Sequence, residues 1–523
     1  MSRTVYCILL LALVAATAAL GVSDPASLPH VMALGLGLTA VGLGDALQKR
    51  EPVRRNSPLL GRAYSGYRRL RARLARTSAE TNGAFAPATA ALVRARARGE
   101  TGMLGFGPRV SWQRTGHLSA RHSLAPVSEH EVATDVLIGG PACTRQYRAS
   151  LLNISALSAG ALSPNAILAL GRGARLGGFF YNTGEGGLDP AFWHSQGDLV
   201  WQVGTGYFGC RTREGRFDAP SFADRAGREQ IKMIEVKLSQ GAKPGHGGIL
   251  PGRKVSRRIA ESCGIPVGRD SLCPAAHSAF ATPIELLQFL HRLRELAGGK
   301  PVGIKLCLGR RSEFLSLCKA MAETGISPDF VTVDGAEGGA GAAPPELANH
   351  LGAPLHEALP FVHAALVGIG VRDQVRVIAS GRIADGFDMM TALALGADLC
   401  AAARAFMLAL GCMQSLRCEQ NTCPTGIATQ SRWLGYGIAP DEKRHRVAAY
   451  HRATVASCVE LMAAMGISSP RALTPAHLWR QTSAGRTEPL ANEALSMASG
   501  DLLAGKVPPS LARDWARATV ARF

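Results

Sequence analysis

One pattern restricts the possible folds of this 523-residue chain more than any other. From about Asn153, a short β-branched or apolar run ends in glycines or polar residues, and a helical stretch usually follows. The runs are LLNIS (151–155), GGFFYN (177–182), LVWQVG (199–204), MIEVKLS (233–239), VGIKLCLG (302–309), DFVTVDG (329–335), RVIASG (376–381) and ADLCAAA (397–403). Helical stretches such as SPNAILALGRGARL, TPIELLQFLHRLRELAGG and SEFLSLCKAMAETG lie between most of them. Eight strands alternating with helices predict a parallel sheet closed on itself, a (β/α)8 TIM barrel. The unit between the second and third runs is degenerate, because about sixteen residues separate them without a clear helix.

Glycines collect at the C-terminal ends of these runs: NTGEGG (182–187), GTGYFG (204–209), SQGAKPGHGG (239–248), DGAEGGAG (334–341) and SGRIADG (380–386). In such a barrel these are the loops of the catalytic face. Glycine lets backbone approach a ligand closely and offers N–H groups to an anion. Five such loops at corresponding positions mark a ligand site rather than loose connections.

The ends of the chain differ from the barrel. Residues 4–23 are uncharged and mostly apolar, about the length that spans a bilayer. A second uncharged, Gly-rich run covers 25–44, and Lys49, Arg50, Arg54 and Arg55 follow at once. Basic residues in that place favour the cytoplasmic side. The expectation is one or two transmembrane helices in 1–50, with the body membrane-anchored and cytoplasmic. A cleaved signal peptide is the competing reading, with Ala16-Thr17-Ala18 as its site. Residues 51–135 form a basic juxtamembrane connector, 136–437 the barrel, and 438–523 a helical C-terminal extension. The formal charge is +19, much of it between Arg54 and Arg98. Few aromatics are interleaved there to stack on bases, so no nucleic-acid partner is expected. Anionic headgroups are one target of that stretch, and a merely solvated helical face is the other reading.

The twelve cysteines do not form a secreted disulfide framework. Most sit inside apolar runs, where cysteine is a small buried hydrophobe. Cys412, Cys418 and Cys423 are different: they cluster within twelve positions and read as metal or redox chemistry.

Several strings together carry a resemblance: NISALSAGALSPNAI (153–167), NTGEGG, KLSQGAKPGHGGILPGRKV (237–255), DGAEGGAGAAP (334–344) and GCMQSLRCEQNTCPTGIATQ (411–430). In order and spacing the chain resembles the FMN-binding synthase domain of glutamate synthases, in a short form without the amidotransferase domain, from about Val136 to Ser483. The resemblance implies FMN and a [3Fe–4S] cluster on Cys412, Cys418 and Cys423; three structural cysteines are the alternative. It implies reduction of 2-iminoglutarate, from 2-oxoglutarate and ammonia or glutamine-derived nitrogen, to L-glutamate. The chain has no GxGxxG pyridine-nucleotide motif after a strand, so the resemblance also implies an external electron donor, ferredoxin-like or a reductase subunit. A flavin oxidoreductase for another amino or 2-oxo acid, and a membrane electron-transfer subunit, are the rival readings.

Site residues follow from the barrel and the resemblance together. The phosphate site of such barrels lies after strands seven and eight, here Ser380, Gly381, Arg382, Ala403 and Arg404, with Arg404 equally a partner for a carboxylate. Ser155 and Ala156 would lie against the flavin ring, and Gln240 at its pyrimidine edge. Lys305, amid apolar residues, would face the flavin's N1/C2 carbonyl or form an ion pair. Lys243, with Lys237 at the SQGAKPG loop, is expected to contact a substrate carboxylate or the cluster side of the site. Glu337 is expected to place a nitrogen or to bond loop N–H groups. Glu185 and Asp334 read as ambiguous between loop support and chemistry. Ala340, and Cys273 to His277, depart from the family pattern and leave the substrate open.

Overall fold

The computed structural model describes residues 28–523 apart from 75–84, 101, 104, 484 and 494–495, together with isolated positions 12, 15 and 26. Apart from positions 12 and 15, the apolar run at 4–23 therefore lies outside the described residues. The second run forms helix α1 (Leu28–Leu47). It has a mean hydropathy of 1.4 and is the one helix among the described residues long and apolar enough to cross a membrane. Its Met32, Leu34, Leu36, Val41, Leu43 and Leu47 are exposed. A five-residue helix (Pro52–Asn56), a fifteen-residue helix (Leu60–Leu74) and helix α2 (Pro87–Ala97) lead to the body.

The eight runs are the eight strands of a closed parallel barrel: β1 (Leu152–Ile154), β2 (Tyr181–Asn182), β3 (Leu199–Val203), β4 (Ile231–Lys237), β5 (Val302–Leu306), β6 (Phe330–Asp334), β7 (Arg376–Ser380) and β8 (Leu399–Ala402). Each pairs with its neighbour in sequence, and β8 closes on β1 through Cys400 opposite Leu152. The thin unit between β2 and β3 holds only a short helix, Pro190–Ser195. Elsewhere the punctuation is regular. The helix after β1 (Pro164–Gly177) starts on Ser163, whose hydroxyl accepts from the Ala166 N–H, has proline in its first turn, and ends on left-handed Gly178.

Inside the barrel, side chains two apart on a strand share the inner face. The lower layer is apolar: Phe180, Val200, Met233, Phe330, Ile378 and Leu399 are all buried there. A hairpin, Asp135–Ile138 with Tyr147–Ser150, closes the base by packing Ile138 and Ala149 against them. Two residues further along the same strands the interior turns polar, with Asn182, Gln202, Glu235, Thr332 and Ser380, all nearly inaccessible. That change lies directly beneath the C-terminal mouth.

Beyond residue 438 a long helix (Pro440–Ala464) packs against the helix after β1. Next come Leu478–Gln481 and Thr487–Pro489, which with Leu118–Ala120 make a small antiparallel sheet, and a last helix, Pro509–Arg517. The extension is thus part helix and part sheet. The N-terminal stretch is held to the body by specific bonds. Asn56 Nδ2 donates to the carbonyls of Pro424 (3.2 Å) and Leu434 (2.8 Å), and buried Lys443 Nζ donates to that of Arg50 (2.7 Å).

Candidate active site at the barrel mouth

Glu235, on the inner face of β4, is the centre of the polar layer. Its carboxylate accepts from Asn182 Nδ2 (2.7 Å), Gln202 Nε2 (2.5 Å) and Thr332 Oγ1 (2.7 Å). A carboxylate this deep is stable only if its lone pairs are satisfied. It also helps balance Lys305 above it, whose Nζ lies 3.3 Å from Asp334 Oδ2. Burial alone would lower the Lys305 pKa, but Asp334 and Glu235 together raise it, so the ammonium is held charged. Asp334 also accepts the Gly241 N–H at 2.9 Å.

A second pair stands beside the first. Lys237 Nζ is 2.7 Å from Glu185 Oε1. Burial pushes the Glu185 carboxyl up, and the neighbouring lysines outweigh it, leaving its pKa low. Lys243 completes a group of three buried lysines and is 3 % exposed. Burial pulls it down to about 8, against the weaker pull of Glu185 and with the repulsion of Lys237. Lys237, Lys305 and the remote buried lysines 254, 300 and 443 each have a carboxylate or carbonyl oxygen within bonding distance. Among the described residues, Lys243 Nζ has neither.

The loops cross with little space between their backbones. A Cβ on Gly241 would fall 1.8 Å from the Gly335 carbonyl oxygen, so only glycine lets the loops after β4 and β6 pass each other. Glu337 accepts the Leu355 N–H on both carboxylate oxygens, each at 3.2 Å, and so supports the start of the helix Leu355–Gly368. Ser155 and Ser380 share a hydroxyl hydrogen bond of 2.9 Å between the ends of β1 and β7. Ala156, Gln240 and Ala403 are half-buried at the rim.

After β7 the backbone turns sharply at Gly381 (φ +149°) and Arg382 (φ +56°). The guanidiniums of Arg382 and Arg404 both lie over the ring of Phe85, 5.7 and 5.5 Å from its centroid. Arg404 also donates to the main-chain carbonyl of Glu337. Two guanidiniums converging beside a left-handed turn suit a phosphate dianion.

The cysteine loop follows the short helix after β8. Gln414, Leu416 and Asn421 all have positive φ, an unusual density of left-handed non-glycine residues. Asn421 Oδ1 accepts the Gln430 N–H (2.6 Å), and Gln430 Nε2 donates to the carbonyls of Ala159 and Leu162. Among the described residues no group of three His, Cys, Asp or Glu converges tightly enough for a single metal ion. The three thiols nonetheless feel each other: burial pushes Cys412 up to about 12, and Cys423 and Cys418 push in the same direction. The surroundings suit an anion. Buried Lys254 Nζ donates to the carbonyls of Cys418 (3.1 Å) and Ala161 (2.8 Å), Arg94 donates to that of Cys412 (3.0 Å), and the Gln414 N–H points at Cys412 Sγ (3.4 Å).

Residues 117–468 match a family model described as the conserved region in glutamate synthase. The chain belongs to the glutamate synthase family. It is 40 % identical over 344 residues to the glutamate synthase large subunit-like protein YerD of Bacillus subtilis, covering 65 % of each chain. To the archaeal-type glutamate synthase [NADPH] of Thermotoga maritima it is 35 % identical over 322 residues, 61 % of this chain and 60 % of that one. The chloroplastic ferredoxin-dependent glutamate synthase of Spinacia oleracea shares 31 % identity over half of this chain and 16 % of its own length. The chain thus spans 65 % of the length of the first of these relatives and 60 % of the second. Among solved structures, a mandelate oxidase with benzaldehyde aligns at 17 % identity and a TM-score of 0.40, over 71 % of this chain and 86 % of that one.

Sequence reasoning singled out Lys243, Lys305, Glu337 and the three cysteines, and the structure brings the first three to one mouth. It passed over Glu235, Asn182, Gln202 and Thr332. Their signal was present: a polar residue on the inward phase of each of four largely apolar strands. Lys254 stood unmarked inside a quoted string. Phe85 and Arg94 left no local signal at all.

Proposed function

We propose that this glutamate synthase-like oxidoreductase reduces 2-iminoglutarate, formed from 2-oxoglutarate and ammonia, to L-glutamate, using FMN and a [3Fe–4S] cluster. One observation carries the substrate side of this reading: Lys243 is a buried cation without an acceptor among the described residues, in a mouth where the other buried lysines, Lys237 and Lys305, each have one. Such a charge calls for an anion from outside, and a dicarboxylate supplies it.

FMN, when bound, supplies two-electron transfer to an imine carbon, and the cluster supplies electrons one at a time from an external donor. Ser155, Ala156 and Gln240 would line the flavin ring, and Gly381, Arg382, Ala403 and Arg404 would hold its phosphate. Lys305, kept protonated by Asp334 and Glu235, would offset negative charge at the ring's pyrimidine end. Lys243 would orient a substrate carboxylate. Cys412, Cys418 and Cys423 would carry the cluster, with Lys254 and Arg94 offsetting its negative charge. The exposed apolar surface of α1 and the basic residues after it support anchoring to a membrane with the barrel on the cytoplasmic side. Release of the full chain from membranes by alkaline carbonate would contradict that part.

The test is an anaerobic spectrum of the purified, chemically reduced protein before and after adding 2-oxoglutarate with ammonium. Return of the oxidised flavin band together with glutamate supports the reading. Flavin and iron that stay reduced would sink the substrate assignment and leave an electron carrier or another acid. A preparation without iron would sink the cluster.

A further inference from the structure

Phe85 lies outside the family segment of 117–468, in the basic connector, yet it is 6 % exposed. Its ring lies under both Arg382, in the loop after β7, and Arg404, the first residue of the helix after β8. Its main chain forms a reciprocal pair with one side chain of the cysteine loop. The Phe85 N–H donates to Gln414 Oε1 at 2.7 Å, and Gln414 Nε2 donates back to the Phe85 carbonyl at 3.3 Å. Helix α2, which begins two residues later, buries Ala90, Val93 and Ala97 against the body, and its Arg94 holds the Cys412 carbonyl. Phe85 is therefore fixed from both sides, by Gln414 and by α2.

We propose that Phe85 is a positioning residue for the phosphate end of the cofactor site, supplied by the N-terminal connector. Two guanidiniums brought together repel each other, and each gains by lying over the negative face of an aromatic ring. One ring serving both holds them at a common site before an anion arrives, and a phosphate monoester dianion then bonds a preorganised pair. The pairing with Gln414 makes that arrangement depend on the cysteine loop, so the connector joins the two halves of the site. The ligand class, a phosphorylated flavin, rests on the function proposed above.

The test is titration of flavin-free full-length protein with FMN and with riboflavin, which lacks the phosphate, followed by flavin fluorescence. Wild type should bind FMN much more tightly than riboflavin. If wild type shows no preference for FMN, the cofactor reading itself fails, whatever Phe85 does. Given that preference, Phe85→Ala and Phe85→Leu should weaken FMN about tenfold, the worth of losing two cation–π contacts, and leave riboflavin unchanged. Phe85→Tyr, which keeps the ring, should restore FMN binding. Phe85→Leu preserves apolar packing if Phe85→Ala does not accumulate. Equal losses for FMN and riboflavin, or no loss for either, would overturn the proposal.

Discussion

Replacing a buried lysine by methionine should have opposite effects at two positions of the same barrel mouth. Lys243 is held at about 8 rather than its ordinary 10.5 by burial. Keeping it protonated therefore costs the folded state about 3 kcal/mol relative to the unfolded chain. A lowered lysine pKa means that the folded state binds fewer protons than the unfolded state between about 8 and 10.5. Stability therefore rises with pH across that window, and the full cost is present below it. Lys254, Lys300 and Lys443 are held near 8 as well, so the informative quantity is the difference between wild type and variant. At pH 7, ligand-free Lys243→Met should be more stable by up to about 3 kcal/mol, and the gain should fade above pH 10. At this chain length that is a Tm increase of roughly 2–5 °C. Lys305→Met should do the reverse. It leaves Asp334 and Glu235 buried without their cation, at a cost of about 3–5 kcal/mol. The assay is thermal unfolding of both variants and wild type at pH 7 and pH 10, with and without 2-oxoglutarate. The dicarboxylate should raise the wild-type Tm and leave that of Lys243→Met unchanged. A fall in Tm for Lys243→Met at pH 7, or a ligand shift that survives the substitution, would refute the idea that this charge is reserved for an anion.

Three further outcomes follow from the same geometry. Gly241→Ala should displace the loops after β4 and β6, because its Cβ would strike the Gly335 carbonyl; flavin content per chain should fall well below wild type while the far-ultraviolet circular dichroism is retained. Glu235→Gln keeps the volume but sets an amide N–H₂ against the donors of Asn182 or Gln202, and should cost about 2–4 kcal/mol in urea unfolding; a change under 0.5 kcal/mol would show that the network is not what holds the polar layer. Single Cys412→Ser, Cys418→Ser and Cys423→Ser variants should each lose most of their iron, whereas Cys318→Ser, in the helix between β5 and β6, should keep it; iron analysis decides.

The positions of the eight strands were legible because the signal is local. A β-branched run needs only its own residues and the glycines after it to declare a strand that ends at a ligand face. The cysteine spacing was legible for the same reason, being confined to twelve positions. Even the degenerate unit between β2 and β3 could be read from its length. The inward polar layer was half-legible. Each of Asn182, Gln202, Glu235 and Thr332 breaks an apolar run, but only closure of the barrel makes four separate breaks into one hydrogen-bonded set.

Which lysine is paired and which is not was decided by tertiary structure alone. Lys237, Lys243 and Lys305 are alike in sequence, each beside apolar residues at or just after the end of a strand. Their difference comes from Glu185, Asp334 and Glu235, carried on other strands and loops. The same holds for Phe85, which is 329 positions from the Gln414 that fixes it. Periodicity and turn chemistry act over a few residues and are written in the order of amino acids. Charge balance and ring stacking act through space, between residues whose neighbours in sequence carry no trace of the pairing.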